Sequence, residues 1–227
     1  FGYGELINVG KLNIIKTLDV FEKSLESNCY SKEEFDYNKL KIYIDKVEYK
    51  GVEAKYILFC EGFKLKKNPW FSYLPLVGSK GEYLHIRTKE LSQKKIIKSG
   101  LFIIPIDKDL YWVGSNFERY DKTSRPTEVG KAWLLNKLNQ LLNVPFEVLD
   151  HRAAIRPTVL DRRPLLGGHP KEKNIYVFNG LGTRGVLIAP LLAHWMYSFL
   201  EEKKELLPEI AIDRFETYFS NPKKEDV

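Results

Sequence analysis

Three glycines near the end of the chain have the spacing of a backbone that approaches a ligand closely. They are Gly180, Gly182 and Gly185, within the stretch NGLGTRGVLIAP at residues 179–190. A short buried strand is predicted before them, over 173–180, and a long apolar helix after them. Such a turn presents free N–H groups and the positive end of a helix dipole. It favours an anion, or a ring that becomes negative during a reaction.

The G-x-G-x-x-G spacing alone does not establish dinucleotide binding. A dinucleotide-binding βαβ unit needs a second strand with an acidic residue about 20 residues beyond the glycines. Here that position falls on Glu201 and Glu202, at the end of the same predicted helix. The sequence therefore argues against an NAD-type unit at this place. Two interpretations stay open: a turn that contacts a ring such as a reduced flavin, and tight helix–strand packing without a ligand.

Other side chains suggest binding rather than a catalytic group. Arg156 is a candidate for holding a substrate carboxylate, because a guanidinium matches two oxygens at once. Its alternatives are an ion pair with Asp161 and a place at the edge of the core. Arg184, inside the glycine turn, either faces a ligand or points to solvent. The four histidines lack metal-ligand spacing, and neither Cys29 nor Cys60 has a partner at such spacing, so no metal site is expected. No catalytic residue is assigned.

The composition is that of a globular protein. The 227 residues are 44% hydrophobic and 29% charged, enough for one large domain or two small ones. The net charge is +6, but the lysines are scattered and no basic stripe alternates with aromatics, so nucleic acid is an unlikely partner. No apolar stretch comfortably spans a bilayer, no signal peptide is apparent, and the two cysteines fit a reducing, cytoplasmic location.

Hydrophobic periodicity predicts alternating helices and strands. Helices are expected over 13–27, over 124–142 with Thr127 as N-cap, and after the glycine turn. The strands are expected at 39–51, 52–62, 80–91, 145–157 and 173–180, with a hairpin over 100–118. The fold class is thus mixed, between α/β and α+β.

Several stretches together resemble one family. HRAAIRPTVLDRRPLLGGHP followed by NIYVFNGLGTRGVLIAPLLAHWM resembles the C-terminal signature of the flavoprotein oxidases that include glycine oxidase, sarcosine oxidase and D-amino-acid oxidase. VEAKYILFCEGF resembles the family strand that delivers a glycine to the flavin. SKGEYLHI and FIIPIDKDLYWVGSNFE resemble strands of its substrate domain. The family pattern R-P-x-x-x-D-x-x-P-x-x-G is matched by Arg156, Pro157, Asp161, Pro164 and Gly167.

The resemblance implies a cofactor, a substrate site and two layers. It implies FAD, held non-covalently because no cysteine lies at 152–161. Residues 1–72 and 158–227 would be the remainder of a Rossmann-like FAD-binding layer, and 73–157 a mainly antiparallel substrate-domain sheet. The implied cofactor contacts are Gly62, Gly180, Leu181, Gly182, Thr183, Arg184 and Gly185. The implied substrate contacts are Arg156, Phe102 and Phe117.

The resemblance also implies that a part is missing. The family's N-terminal βαβ unit has no counterpart here, so the chain resembles the C-terminal two-thirds of a flavoenzyme. Its partners would be that missing segment and a small-molecule substrate, and the chain alone would be inactive. The implied activity is oxidation of an amine, an amino acid or a related molecule by hydride transfer to FAD. Ile106 replaces a family arginine and Phe102 lacks a hydroxyl found in glycine oxidases, which puts an amino-acid substrate in question.

Two alternatives to that activity stay open. The first is a flavoenzyme of the same fold that acts on a modified tRNA nucleoside. The second is a binding module that kept the scaffold and lost the cofactor.

Overall fold

The computed structural model describes residues 2–220, and the chain divides into two compact units, one through Tyr37 and one from Asn38 onward. The first unit contains helix α1 (Ile14–Ser24), which is shorter than the predicted 13–27. Asn13 is its N-cap, and the Asn13 side chain accepts a hydrogen bond from the Lys16 N–H at 3.1 Å. No residue of α1 is buried.

The second unit begins with three short antiparallel strands, β1 (Leu40–Ile42), β2 (Val47–Tyr49) and β3 (Val52–Ala54). The predicted single strand over 39–51 is wrong. The chain reverses after β1, where the Tyr43 N–H donates to the Lys46 carbonyl, and again after β2, where Gly51 has a positive φ. The predicted strand over 52–62 is also divided, because β4 (Ile57–Phe59) leaves this sheet for another.

A five-stranded antiparallel sheet forms the largest element of this unit. Its strands are β5 (Ser79–Arg87), β6 (Ile97–Lys98), β7 (Phe102–Asp107), β8 (Leu110–Gly114) and β9 (Glu147–Arg156), in the order β6-β7-β8-β5-β9. Helix α2 (Glu128–Leu141) packs on one face through Leu134 and Leu138, which are fully buried. The predicted N-cap is confirmed, since the Thr127 side chain accepts a hydrogen bond from the Gly130 N–H at 3.0 Å.

The other face of this sheet carries the residues that matter for the site. Side chains alternate between the two faces along a strand. On β5, Leu84 and Ile86 therefore point into the core with α2, whereas Ser79, Gly81 and Tyr83 lie on the opposite face. Arg156 pairs with Ser79 across the ladder and shares that opposite face.

The second sheet combines a parallel and an antiparallel pair. It contains β10 (Leu165–Gly168), which the sequence analysis missed, and β11 (Ile175–Asn179), which confirms the predicted strand. Strand β11 lies between β10 and β4 and is parallel to β4. The predicted long helix, α3 (Gly185–Glu201), follows β11 and packs through Leu192 and Met196. A short 3-10 helix (Ile212–Phe215) and α4 (Glu216–Ser220) end the described chain.

The mixed fold class is confirmed, with a parallel pair in one sheet and a fully antiparallel larger sheet. All five strands of the larger sheet lie within residues 73–157, and β4, β10, β11 and α3 lie outside that range. This arrangement fits the predicted division into two layers, which stays a prediction.

Candidate functional site

A buried asparagine joins the carboxyl ends of the two parallel strands. The Asn179 side chain donates a hydrogen bond to the Gly62 carbonyl at 2.9 Å and accepts one from the Gly180 N–H at 2.8 Å. Asn179 is only 3% exposed, so both bonds are shielded from water. Gly62 and Gly180 are therefore held together at the edge where ligands bind in open α/β sheets. Asn179 was not predicted from the sequence, although a polar residue ending a buried strand was a usable signal.

Different structural constraints act on the two glycines Gly180 and Gly182 of the turn. Gly180 has a φ of +72°, and a Cβ there would lie 2.7 Å from Val159 Cγ2. Gly182 has a φ of +56°, but a Cβ there would meet only Thr158 Cγ2, at 3.7 Å. Gly180 is thus required by packing, whereas Gly182 borders free space.

The turn keeps several hydrogen-bond donors unused. The Gly180 N–H is taken by Asn179, and the Gly182 N–H donates to the Pro157 carbonyl at 3.2 Å. Within residues 2–220, the N–H groups of Leu181, Thr183 and Gly185 donate to no acceptor. They precede α3 or begin it, so the helix dipole adds positive potential at the same place.

A cleft of about 650 Å³ lies over this turn. Residues 180–184 form part of its lining, and Val159, Leu160 and Ile188 supply apolar surface. Phe117, which is 57% exposed, also lines the cleft, together with Arg119 and Lys122 from the segment after β8. The cleft thus combines apolar surface with unused backbone donors, as ligand sites commonly do.

The charges in the cleft are all positive. Arg119, Lys122, Arg162 and Arg184 line it, and no aspartate or glutamate does so among the described residues. Arg184 is the residue preceding α3, makes no side-chain capping bond, and lines the cleft. A concave surface of one sign concentrates the electrostatic field and attracts anions.

Arg156 lies flat across the face of the large sheet. Its guanidinium covers Gly81, where any side chain would collide with it, and Nη2 donates a hydrogen bond to Ser115 Oγ. Nη1 is buried and has no partner among the described residues. Burial lowers the pKa of this guanidinium. Asp161 pairs instead with Arg214, at 2.8 Å from Nε, so the alternative Arg156–Asp161 pair is not formed.

The structure does not bring every predicted site residue to the cleft. Phe117 and residues 180–184 line it, whereas Arg156, Phe102, Gly62 and Gly185 do not. Phe102 lies on β7 and is 40% exposed, with the Lys98 ammonium 5.2 Å from its ring centroid.

A buried charged cluster was not anticipated from the sequence. Lys80 and Glu82 have almost no exposed side-chain surface and lie 3.6 Å apart, on the face that packs against α2. Lys80 also contacts Asp121, and Glu82 Oε2 lies 2.9 Å from His151 Nε2. Glu82 accepts hydrogen bonds from the N–H and the hydroxyl of Thr127, both at 2.8 Å. The cluster therefore fixes the start of α2. The sequence signal was only a lysine and a glutamate at alternate positions of a predicted strand, on the face that Leu84 and Ile86 continue.

Two further features concern residues 2–220. No helix in this range is long and apolar enough to cross a membrane. No group of three or more His, Cys, Asp or Glu side chains in this range is arranged to hold a metal ion.

Solved structures similar to this chain include several oxidases and a dehydrogenase. Iminodiacetate oxidase from Chelativorans sp. BNC1 superposes with a TM-score of 0.61 at 19% identity, covering 78% of this chain and 51% of that one. Glycine oxidase from Geobacillus kaustophilus gives 0.57 at 24% identity, covering 75% and 47%. At these identities the likeness shows the fold. The chain thus spans about half the length of these enzymes.

Sequence comparison gives a second group of relatives and a family. A tRNA 5-methylaminomethyl-2-thiouridine biosynthesis bifunctional protein MnmC, from Idiomarina loihiensis, is 26% identical over 153 residues, covering 63% of this chain and 25% of that protein. The one from Marinobacter nauticus is 32% identical over 95 residues, covering 37% and 15%. The DAO family of FAD dependent oxidoreductases matches residues 37–198. The chain belongs to this DAO family of FAD dependent oxidoreductases, as its signature segments predicted.

Proposed function

We propose that the polypeptide carrying this chain oxidises a carbon–nitrogen bond of an amine or amino acid, with non-covalently bound FAD as the hydride acceptor. The observation that carries the proposal is the open glycine turn at the start of α3. There, unused N–H groups and a helix dipole meet a cleft with no carboxylate among the described residues.

The residues present fit a flavin ring. Gly182 leaves free space where any larger residue would project, and Val159, Leu160 and Ile188 offer an apolar surface to a flat aromatic system. The Leu181 and Thr183 N–H groups and the start of α3 would stabilise negative charge on the ring. When bound, FAD supplies the hydride chemistry, and the protein binds, orients and polarises.

Substrate binding is assigned to residues of the large sheet. Although Arg156 does not line the cleft, its guanidinium would hold a substrate carboxylate, since Ser115 engages Nη2 and the buried Nη1 has no partner in the described chain. Phe117 would form an apolar wall of the cleft, and Phe102, further along the same sheet, would contact only a longer substrate.

The remaining parts of the site are proposed to come from elsewhere in the same polypeptide. The chain covers 51% of iminodiacetate oxidase and 25% of the Idiomarina relative. We infer that an N-terminal βαβ unit completes FAD binding and that the present chain is inactive without it. Cys29 and Cys60 are both free thiols, which supports a cytoplasmic location.

The proposal is tested on the full-length polypeptide. It should purify yellow, with flavin absorbance bands, and should reduce its flavin when an amine substrate is added without oxygen. Arg156→Ala should raise KM for an acidic substrate by about 100-fold, since a charged bidentate contact is worth about 2–3 kcal/mol. Arg156→Lys is the matched variant and should recover part of the loss. An unchanged KM would exclude the Arg156 assignment, and a colourless protein that takes up no FAD would favour a binding module.

A second candidate is oxidation of a modified nucleoside in tRNA by the same flavin chemistry. The similarity to tRNA 5-methylaminomethyl-2-thiouridine biosynthesis proteins favours it. Its test is binding of tRNA to the full-length protein, with an observed affinity that falls steeply as salt is raised.

A further inference from the structure

The positive charges of the cleft are not neutralised by the protein. Within residues 2–220, the Arg162 and Arg184 side chains form no hydrogen bond or ion pair, and Arg119 only covers the Phe117 ring, at 5.8 Å from its centroid. Lys122 Nζ donates to two backbone carbonyls, those of Gly78 and Arg119, and to no carboxylate.

Three other arginines of the same unit are paired with carboxylates. Arg214 meets Asp161, Arg152 meets Asp150, and Arg87 meets Glu147. The chain therefore has carboxylates available for its arginines, but none within residues 2–220 lines the cleft. Four cations in one concave surface repel each other, and an anionic ligand would remove that cost.

We propose that Arg119, Lys122 and Arg162 bind a phosphate group carried by the substrate. This inference rests on the proposed function and names the substrate class. A phosphate offers three strong acceptor oxygens and up to two negative charges, which suits several cations better than one carboxylate does. The cleft of about 650 Å³ would hold the flavin edge at the glycine turn and the phosphate group at the cations.

The origin of Arg119 and Lys122 points to the substrate rather than to the cofactor. Arg119 and Lys122 belong to the segment that follows β8 of the large sheet, whereas the glycine turn joins β11 to α3. The wall that would receive the flavin edge and the wall that carries these two cations are thus built by different elements. The phosphate on the substrate could belong to a small phosphorylated amine or to an RNA backbone.

The first experiment measures binding of inorganic pyrophosphate to the flavin-loaded full-length polypeptide by titration calorimetry. The Arg119→Gln/Lys122→Gln variant should bind pyrophosphate at least tenfold more weakly, since two charged contacts are lost. Lys108→Gln is the matched control, because Lys108 lies at the exposed β7–β8 turn and should leave affinity unchanged. No measurable pyrophosphate binding to the parent protein, or equal binding by the double variant, would overturn the proposal.

A second measurement separates the sources of phosphate. Phosphoethanolamine and a short RNA hairpin are titrated in parallel, and the ligand whose affinity drops in the double variant identifies the source. For RNA, the slope of log affinity against log salt should also fall by about 2.

The flavin content of the double variant must match the parent. A variant that loses flavin instead of ligand would assign the cations to the cofactor's diphosphate and overturn the proposal. A parent that binds pyrophosphate but no flavin would support phosphate binding while removing the proposed oxidase function.

Discussion

Two groups of charged side chains lie close together in sequence but are neutralised very differently. Lys80, Glu82 and Asp121 form a cluster whose opposite charges contact one another within the fold. Arg119 and Lys122, next to Asp121 in the chain, reach a cleft that holds no carboxylate among the described residues. The comparison indicates that the first group stabilises the fold, whereas the second is available to bind a ligand.

The reason for the difference is solvent. A buried charge without a partner costs several kcal/mol, so Lys80 must be satisfied inside the fold. A charge that lines an open cleft remains hydrated, so it needs no partner within the protein and can bind an anion. The two groups are nevertheless connected. The Lys80 backbone exchanges two hydrogen bonds with Glu118 at 2.9 Å, and its side chain contacts Asp121 and the Arg125 carbonyl. The buried lysine thus anchors the segment that carries the cleft cations.

Removing that lysine should have the largest effect. Lys80→Met leaves the Glu82 carboxylate buried without its cation, and should lower the free energy of unfolding by about 3–5 kcal/mol. Urea unfolding of the full-length protein, followed by circular dichroism, measures this. Lys108→Met, on the exposed turn, should change it by less than about 0.5 kcal/mol.

A double variant tests whether the loss of stability in Lys80→Met comes from breaking the pair with Glu82. Adding Glu82→Gln to Lys80→Met should recover part of the lost stability, because the stranded carboxylate is removed. A double variant that is less stable by the sum of the two single effects would show that Lys80 and Glu82 do not stabilise each other.

The glycine turn provides a sharper contrast between folding and binding. Gly180→Ala forces a side chain against Val159 and Leu165 at a positive φ, and should cost about 2–4 kcal/mol of unfolding free energy. Gly182→Ala meets open space, so it should cost about 1 kcal/mol but lower the flavin content. Urea midpoints and the flavin-to-protein absorbance ratio measure the two effects. If Gly180→Ala and Gly182→Ala lost the same amount of flavin and the same unfolding free energy, the assignment of Gly182 to the cofactor edge would be contradicted.

A smaller effect on KM is expected from changing Ser115, the residue that positions Arg156. Ser115→Ala removes the hydroxyl that accepts from Nη2, and should raise KM for an acidic substrate about tenfold with little change in kcat. Ser115→Thr keeps the hydroxyl and should restore KM. A fall in kcat at constant KM would assign Ser115 a different role.

The sequence predicted the parts of this site that lie along one stretch of chain. The strand, glycine turn and helix over 173–201 were recognisable because β11 and α3 are apolar and the turn residues are adjacent. The strands over 39–62 were misjudged, since local alternation continues through turns where the chain changes sheets. Periodicity reports burial of each segment, not its pairing partner.

The contacts between distant segments could not be predicted. Asn179 meets Gly62 across 117 residues, and Lys80 meets Asp121 across 41. Residue 81 is a glycine because the Arg156 side chain crosses it and leaves no space for a Cβ. The cationic cleft is equally non-local, because Arg119, Arg162 and Arg184 look like scattered surface charges in the sequence.

The smallest effect expected is an acid dependence that originates in the buried cluster. The hydrogen bond from Lys80 holds the pKa of Asp121 below its ordinary 3.8. The folded state therefore binds fewer protons than the unfolded state in this range, so the stability from this pair is present above pH 3.8 and is lost as the pH falls further. Urea midpoints between about pH 5 and pH 2 should fall less steeply in Asp121→Asn than in the parent. In a Lys80→Met background the same substitution should change the slope less, because the first of the donors that depress this pKa is gone while the Thr123 N–H remains. An equally steep fall in Asp121→Asn and the parent would mean that Lys80 is neutralised chiefly by Glu82, and that Asp121 is a dispensable member of the cluster.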